Sequence, residues 1–283
     1  MEKKREECRV RVCELVSQPI LLELFSMICL TGDVHQRSYR GTDTPFSPFS
    51  EVELTIKYAK IAARYGIRIT IFLTGKACLE EPNDVRDIEQ MPHCEIGGHT
   101  FAAFRDPWSR IYRTLFRTPW GPESHQARDI VKTIESIHSV TGHRISAWRN
   151  HSYLQTVESP RLLEAAGIQW VSDDVNPTKR SWEPLSGNLG SLPINVQPDH
   201  EHFLHGKYQI GKSKSSKLVG RVSISEWVEQ VKGEVQVIID DGGLATILAH
   251  PLCMEVADGL VAFEDLCRFL QPFPNCWVSG VNP

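Results

Sequence analysis

Short apolar runs separated by amphipathic stretches set a regular rhythm along this chain. Phe25-Ser26-Met27-Ile28-Cys29-Leu30-Thr31 is apolar, too short for a helix, and stops at Gly32-Asp33, which predicts a buried strand. A loop over 36–50, rich in Pro, Ser and Thr, ends at Ser50 with Glu53 three residues on, the reciprocal pattern that starts a helix. Behind it Leu54, Tyr58, Ile61 and Tyr65 share one side of that helix until Gly66 stops it. Further strands are expected at Ile67–Leu73, Cys94–Gly97, Ile145–Trp148, Ile168–Val171, Leu192–Val196 and Ala245–Ala249. Helices are expected near 82–91, at 123–141 before Gly142, at 159–166 and at 262–270. Strands alternating with helices imply an α/β fold with a parallel sheet, and about seven such units fit a closed barrel better than an open sheet. Residues 1–24 read as a polar N-terminal extension and 25–283 as one barrel domain.

Composition narrows the classes of partner. With 41% apolar and 23% charged residues over 283, the chain can bury a full-sized core. A net charge of −4, a pI of 6.3 and scattered basic residues exclude a nucleic-acid footprint. The charged start, Met1 to Cys8, leads into no apolar signal core. The apolar stretch Ile20–Leu30 is broken by Glu23 and Ser26 and is too short to span a membrane. The expectation is therefore a cytoplasmic protein without a membrane partner. Its eight cysteines form no CxxC pair, and several sit in apolar runs, which predicts buried free thiols. Oligomeric state is left open.

In a parallel barrel, chemistry sits where strands end. The residues just past the expected strands are chemically biased: Asp33 and His35, His99, Arg149 and His151, Asp173 and Asp174, then Asp199, His200 and His202, and lastly His250. Carboxylate and neutral imidazole suit a borderline divalent ion such as zinc. Taken singly, Asp33-Val34-His35 or Gly97-Gly98-His99 is more often an exposed loop than a ligand set. The run Asp199-His200-Glu201-His202 is equally compatible with a solvated loop and with a site. His250, at the end of an apolar strand, can serve as a structural histidine or as a general acid.

In order, Asp33, His99, Arg149 and His250 make the chain resemble the polysaccharide deacetylase family (NodB-homology, carbohydrate esterase 4-like) over about Met27 to Leu270. The resemblance implies a distorted (β/α) barrel of about seven parallel strands. It assigns Asp33, in Leu30-Thr31-Gly32-Asp33-Val34-His35, as the general base and His35 and His99 as metal ligands. The family's second histidine of that pair falls on Ala103. Arg149 matches an Arg-x-Pro-aromatic motif whose proline is absent from Trp148-Arg149-Asn150-His151-Ser152-Tyr153, and it would hold the base ionised through a bidentate contact. Asp173 would pair with the acid histidine and raise its pKa, and His250, in Leu248-Ala249-His250, would protonate the leaving group.

With Ala103 in the ligand position, a third ligand must come from elsewhere. His202, His200, Asp199, His151 and His125 are the candidates, and His202 is preferred because its run follows a strand. The implied cofactor is a divalent ion, Zn2+ first, with Co2+, Ni2+ or Mn2+ as alternatives. The implied activity is removal of acetyl groups from an N- or O-acetylated saccharide, with Tyr153, His151 and Trp182 against the substrate and Trp108 and Trp120 as further stacking candidates. Two alternatives stand beside it: an amidohydrolase of a small cyclic or linear amide, and a metal-free carbohydrate-binding protein.

Overall fold

The structure is a computed structural model that describes residues 26–206 and 220–281. The expected extension over 1–24, with Cys8 and Cys13, lies outside the described residues. Strand β1 (Met27–Val34) is followed by helix α1 (Glu51–Arg64), β2 (Ile69–Leu73), α2 (Gly75–Glu80), α3 (Pro82–Glu89) and β3 (Cys94–Gly98). Next come α4 (Pro107–Phe116), α5 (Glu123–Thr141), β4 (Ala147–Trp148), α6 (Ser159–Ala165) and β5 (Trp170–Val171). A hairpin, β6 (Glu183–Ser186) and β7 (Leu189–Ser191), precedes α7 (Ile224–Asp240), β8 (Leu244–Leu248), α8 (Pro251–Asp258) and α9 (Val261–Leu270).

Local chemistry sets the helix ends. Ser50 and Glu53 form both halves of the expected capping box, and Gly142 closes α5 in the left-handed conformation at φ 79°. Helix α7 has no counterpart among the expected elements, although Ser223 and Glu226 repeat the same box. Its buried face, Trp227, Val228, Val231, Val235 and Ile238, packs into the core.

One sheet of eight strands runs β6-β7-β5-β4-β3-β2-β1-β8, parallel throughout except for the antiparallel β6–β7 pair. It curls into a half-barrel whose edge strands do not pair. The gap is bridged by irregular chain. The expected strand Leu192–Val196 is reduced to a bridge between Ile194 and Val175, its backbone bonds divided between Val171 O at the end of β5, Asp174 O beyond it and Thr246 O of β8. Asn195 stands in for a ladder: its Nδ2 donates to Leu244 O at 2.8 Å and Lys179 O at 2.9 Å, while its Oδ1 accepts from Thr246 N at 2.8 Å. Asn195→Ala strands these buried groups, and an equilibrium urea titration is expected to show a loss of about 3 kcal/mol.

Alternation along β1 decides what faces the barrel interior. Ile28, Leu30 and Val34 join the large core under the helices, while Cys29 joins a small inner cluster with Phe72, Ala147, Trp170, Leu192, Leu244, Val278 and Val281. That cluster plugs one end. Thr31 and Asp33 continue the Cys29 face toward the other end, where the strands finish. Cys29, Cys78, Cys94, Cys253 and Cys267 are buried free thiols and Cys276 is half-buried. Among the described residues, no helix is long and apolar enough to cross a membrane.

Candidate active site

Asp33 sits at the end of β1 and Arg149 just past β4, a strand held against β3 by the Gly98–Trp148 register pair. A Cβ on Gly98 would lie 2.4 Å from the Trp148 ring, so only glycine permits this approach. The fully buried Arg149 guanidinium donates to Asp33 Oδ1 at 2.9 Å, Thr31 Oγ1 at 3.1 Å, Ser172 O at 2.7 Å and Ser172 Oγ at 2.8 Å. The expected bidentate contact is thus a single N–H to the carboxylate, with the rest of the fork spent on neighbouring strands. Burial alone would raise the Asp33 pKa, yet Arg149, His99 and His250 together hold it well below the usual carboxylate range. Its free oxygen, Oδ2, lies 3.8 Å from His99 Nε2 and 3.6 Å from His250 Nε2.

Three imidazoles meet beside that carboxylate. His35 Nδ1 lies 2.8 Å from Glu51 Oε2, and His99 Nδ1 lies 2.9 Å from Arg149 O. Both partners only accept, so each Nδ1 carries the proton and each Nε2 turns a lone pair inward. His151 Nδ1 stands 3.1 Å from His35 Nε2 and 3.3 Å from His99 Nε2. A proton there can satisfy at most one of the two. Zinc–nitrogen bonds of about 2.0–2.1 Å at tetrahedral angles place neighbouring nitrogens about 3.3 Å apart, so this donor set fits a divalent ion. Acceptors fixing the outer nitrogens are the outer-shell arrangement that metal-binding histidines use. Burial above all lowers the His99 pKa to about 3 and pushes that of His151 well down, which keeps both rings neutral.

His151 reaches this point because the chain after β4 turns sharply. Ser152 and Tyr153 are both left-handed, at φ 56° and 57°, a costly conformation for residues with a Cβ. Asp173 braces the turn, accepting from Asn150 N at 2.7 Å and Asn150 Nδ2 at 2.5 Å. The expected pairing of Asp173 with the acid histidine is therefore corrected. His250 instead has Asp199: Nδ1 to Oδ1 is 2.6 Å, and the His250 backbone N–H donates to Oδ2 at 2.5 Å. Burial opposes charge on His250, but Asp199 and Asp33 outweigh it and hold its pKa well above the ordinary imidazole value. Burial raises the Asp173 pKa to about 7.

Asp33, His35, His99, His151, Tyr153 and His250 line one cavity of about 240 Å³. His202 is neither in the lining of this cavity nor in the His35–His99–His151 group, so the preference for it as third ligand is not met; its Nδ1 lies 2.7 Å from Pro198 O. Trp182 packs edge-on against Trp170 at 5.4 Å beside the inner cluster, away from this cavity. Trp120 is buried with its indole N–H on Leu154 O, Trp108 is exposed on α4, and His125 packs against Tyr112. Glu51 was not foreseen. The capping box places it in the first turn of α1, but nothing in the sequence ties it to His35.

The profile of the polysaccharide deacetylase family matches residues 43–171. A comparison with curated proteins returns no significant match. Among solved structures, the chain is similar to the putative polysaccharide deacetylase from Mycobacterium smegmatis, with 17% identity, 93% of this chain and 89% of that one covered, and a TM-score of 0.68. It is similar to Puue allantoinase at 15% identity, 89% and 86% coverage and a TM-score of 0.62. It is also similar to the family 4 carbohydrate esterase from Streptomyces lividans, in complex with acetate, at 13% identity, 89% and 91% coverage and a TM-score of 0.52.

Proposed function

We propose that this chain, which belongs to the polysaccharide deacetylase family, is a metal-dependent hydrolase that removes an acetyl group from an N- or O-acetylated saccharide. The observation that carries the reading is the convergence of His35, His99 and His151 on one point beside Asp33. His35, His99 and His151 would hold a divalent ion, which when bound would supply Lewis-acid polarisation of the scissile carbonyl. Asp33, kept ionised by Arg149, takes the proton of the attacking water. His250, kept protonated by Asp199 and Asp33, gives a proton to the departing amine or alcohol.

The cavity volume of about 240 Å³ falls below the roughly 300–1,000 Å³ of drug-sized pockets. One acetylated sugar ring fits such a space better than several rings. The same volume favours a second reading, hydrolysis of a small cyclic or linear amide.

Acetate release from N-acetyl and O-acetyl sugars, run beside ammonia or ring-opening assays on small amides, separates the two. Activity is expected to vanish with a chelator and to return with zinc, cobalt, nickel or manganese. His151→Ala is expected to lose the ion and at least 100-fold in kcat/KM, in line with loss of one of three ligands. His202→Ala is expected to retain both. Metal retention by His151→Ala with loss in His202→Ala would reverse the ligand assignment, and chelator-resistant turnover would remove the metal from the mechanism.

A further inference from the structure

A second set of ligand-bearing side chains gathers where no catalytic role has been assigned. Asp43 lies in the loop between β1 and α1, His200 and His205 in the segment before α7, and Cys253 in α8. One donor atom from each lies within 4.8 Å of the other three. His200 Nδ1 is 3.3 Å from Cys253 Sγ and 3.7 Å from Asp43 Oδ2, and His205 Nε2 is 3.2 Å from Asp43 Oδ2.

With a single ring proton on His205 this cluster is left unsatisfied. His205 Nδ1 sits 3.1 Å from Phe203 O, which only accepts, so the ring proton lies on Nδ1. The other nitrogen, Nε2, then presents a lone pair to a carboxylate oxygen. Both His205 Nε2 and Asp43 Oδ1 are buried without a hydrogen-bond partner, in residues that are 0% and 2% exposed. A lone pair opposite a buried carboxylate is stabilised by a positive charge, supplied either by a second proton on His205 or by a metal ion held between the two groups. The backbone is pressed close as well: Gly206 is left-handed at φ 52°, and a Cβ there would meet Asp43 Oδ1 at 2.1 Å.

We propose that Asp43, His200, His205 and Cys253 form a second, structural zinc site, separate from the three-histidine point and independent of its role. Zinc bonds of about 2.0–2.3 Å at tetrahedral angles set adjacent donors about 3.3–3.6 Å apart, close to the separations found here. Two imidazoles, a carboxylate and a thiolate complete four-coordination, the closed form that structural zinc takes. Binding releases the thiol proton to solvent and leaves the metal oxidation state unchanged. Its effect is to tie the segment carrying His200 to α8 and to the loop after β1, all of which contribute to the cavity wall.

The test is cobalt loading of the stripped full-length protein, followed by metal analysis and absorption spectroscopy. The expected stoichiometry is two ions per chain, with a cobalt–thiolate charge-transfer band that the three-histidine point cannot produce. Cys253→Ser is expected to lose the band and one equivalent. His151→Ala is expected to lose one equivalent and keep the band, so the two sites are read separately whatever the catalytic assay shows. Should Cys253→Ser fail to fold, X-ray absorption on zinc-loaded His151→Ala replaces it, with one sulfur and three lighter neighbours expected. A single equivalent without the band, an undiminished band in Cys253→Ser, or a first shell without sulfur overturns the proposal and leaves Asp43–His205 as an ion pair.

Discussion

Asp33→Asn is expected to lower kcat for acetate release by about a thousandfold, within the range that general-base removal produces. The amide oxygen of Asn can still accept from Arg149 Nη1, so the geometry at 2.9 Å survives while the charge does not. What remains is a fully buried guanidinium facing neutral groups: Thr31 Oγ1, Ser172 O and Ser172 Oγ. Breaking a buried pair from one side costs about 3–5 kcal/mol, so the variant is expected to melt well below the wild type. Arg149→Met in the same background removes the orphaned cation and is expected to recover part of that stability without recovering activity. Initial-rate kinetics and thermal melts on the three proteins check this. Near-wild-type turnover by Asp33→Asn would eliminate the assigned base.

The strands that carry Asp33 and His250 were legible because each opens as a buried apolar run, whereas β3, Cys94-Glu95-Ile96-Gly97-Gly98, was read from its place in the alternation of strands and helices. Strands β4 and β5 are only two residues long, and the half-barrel closes through the Asn195 side chain, which no periodicity encodes. Helix α7 was missed although Ser223 and Glu226 announced it. The third imidazole was illegible for a different reason. The sequence favoured His202 over His151 because its run follows a strand, whereas a left-handed turn at Ser152 and Tyr153, which nothing in those residue types demands, brings His151 to the other two imidazoles. If His151 is a ligand, two departures from the family pattern, alanine at 103 and the absent proline after Arg149, become one compensated change. The chain places His151 where the motif has its proline, 3.1 Å from His35 and 3.3 Å from His99, and on the proposed reading that histidine would take the ligand position vacated at Ala103.

Asp199 holds the place beside His250 that the family resemblance implied for Asp173, and paired variants separate the two carboxylates. Asp199→Asn removes the carboxylate 2.6 Å from His250 Nδ1, so burial dominates and the His250 pKa falls. A general acid works only while protonated. Activity is therefore lost as pH rises through the His250 pKa, and the alkaline limb of the kcat profile is expected to move to lower pH in this variant. At neutral pH the loss is expected to be about a hundredfold, within the range of general-acid removal. The acid limb, set by Asp33, is expected to stay in place. Asp173→Asn disturbs only the brace on Asn150, so a change of less than about tenfold and an unmoved alkaline limb are expected. A purely structural Asp199 would lower kcat without displacing either limb, because fewer correctly folded molecules titrate as the wild type does. An alkaline limb that moves in Asp173→Asn and not in Asp199→Asn would restore the original pairing.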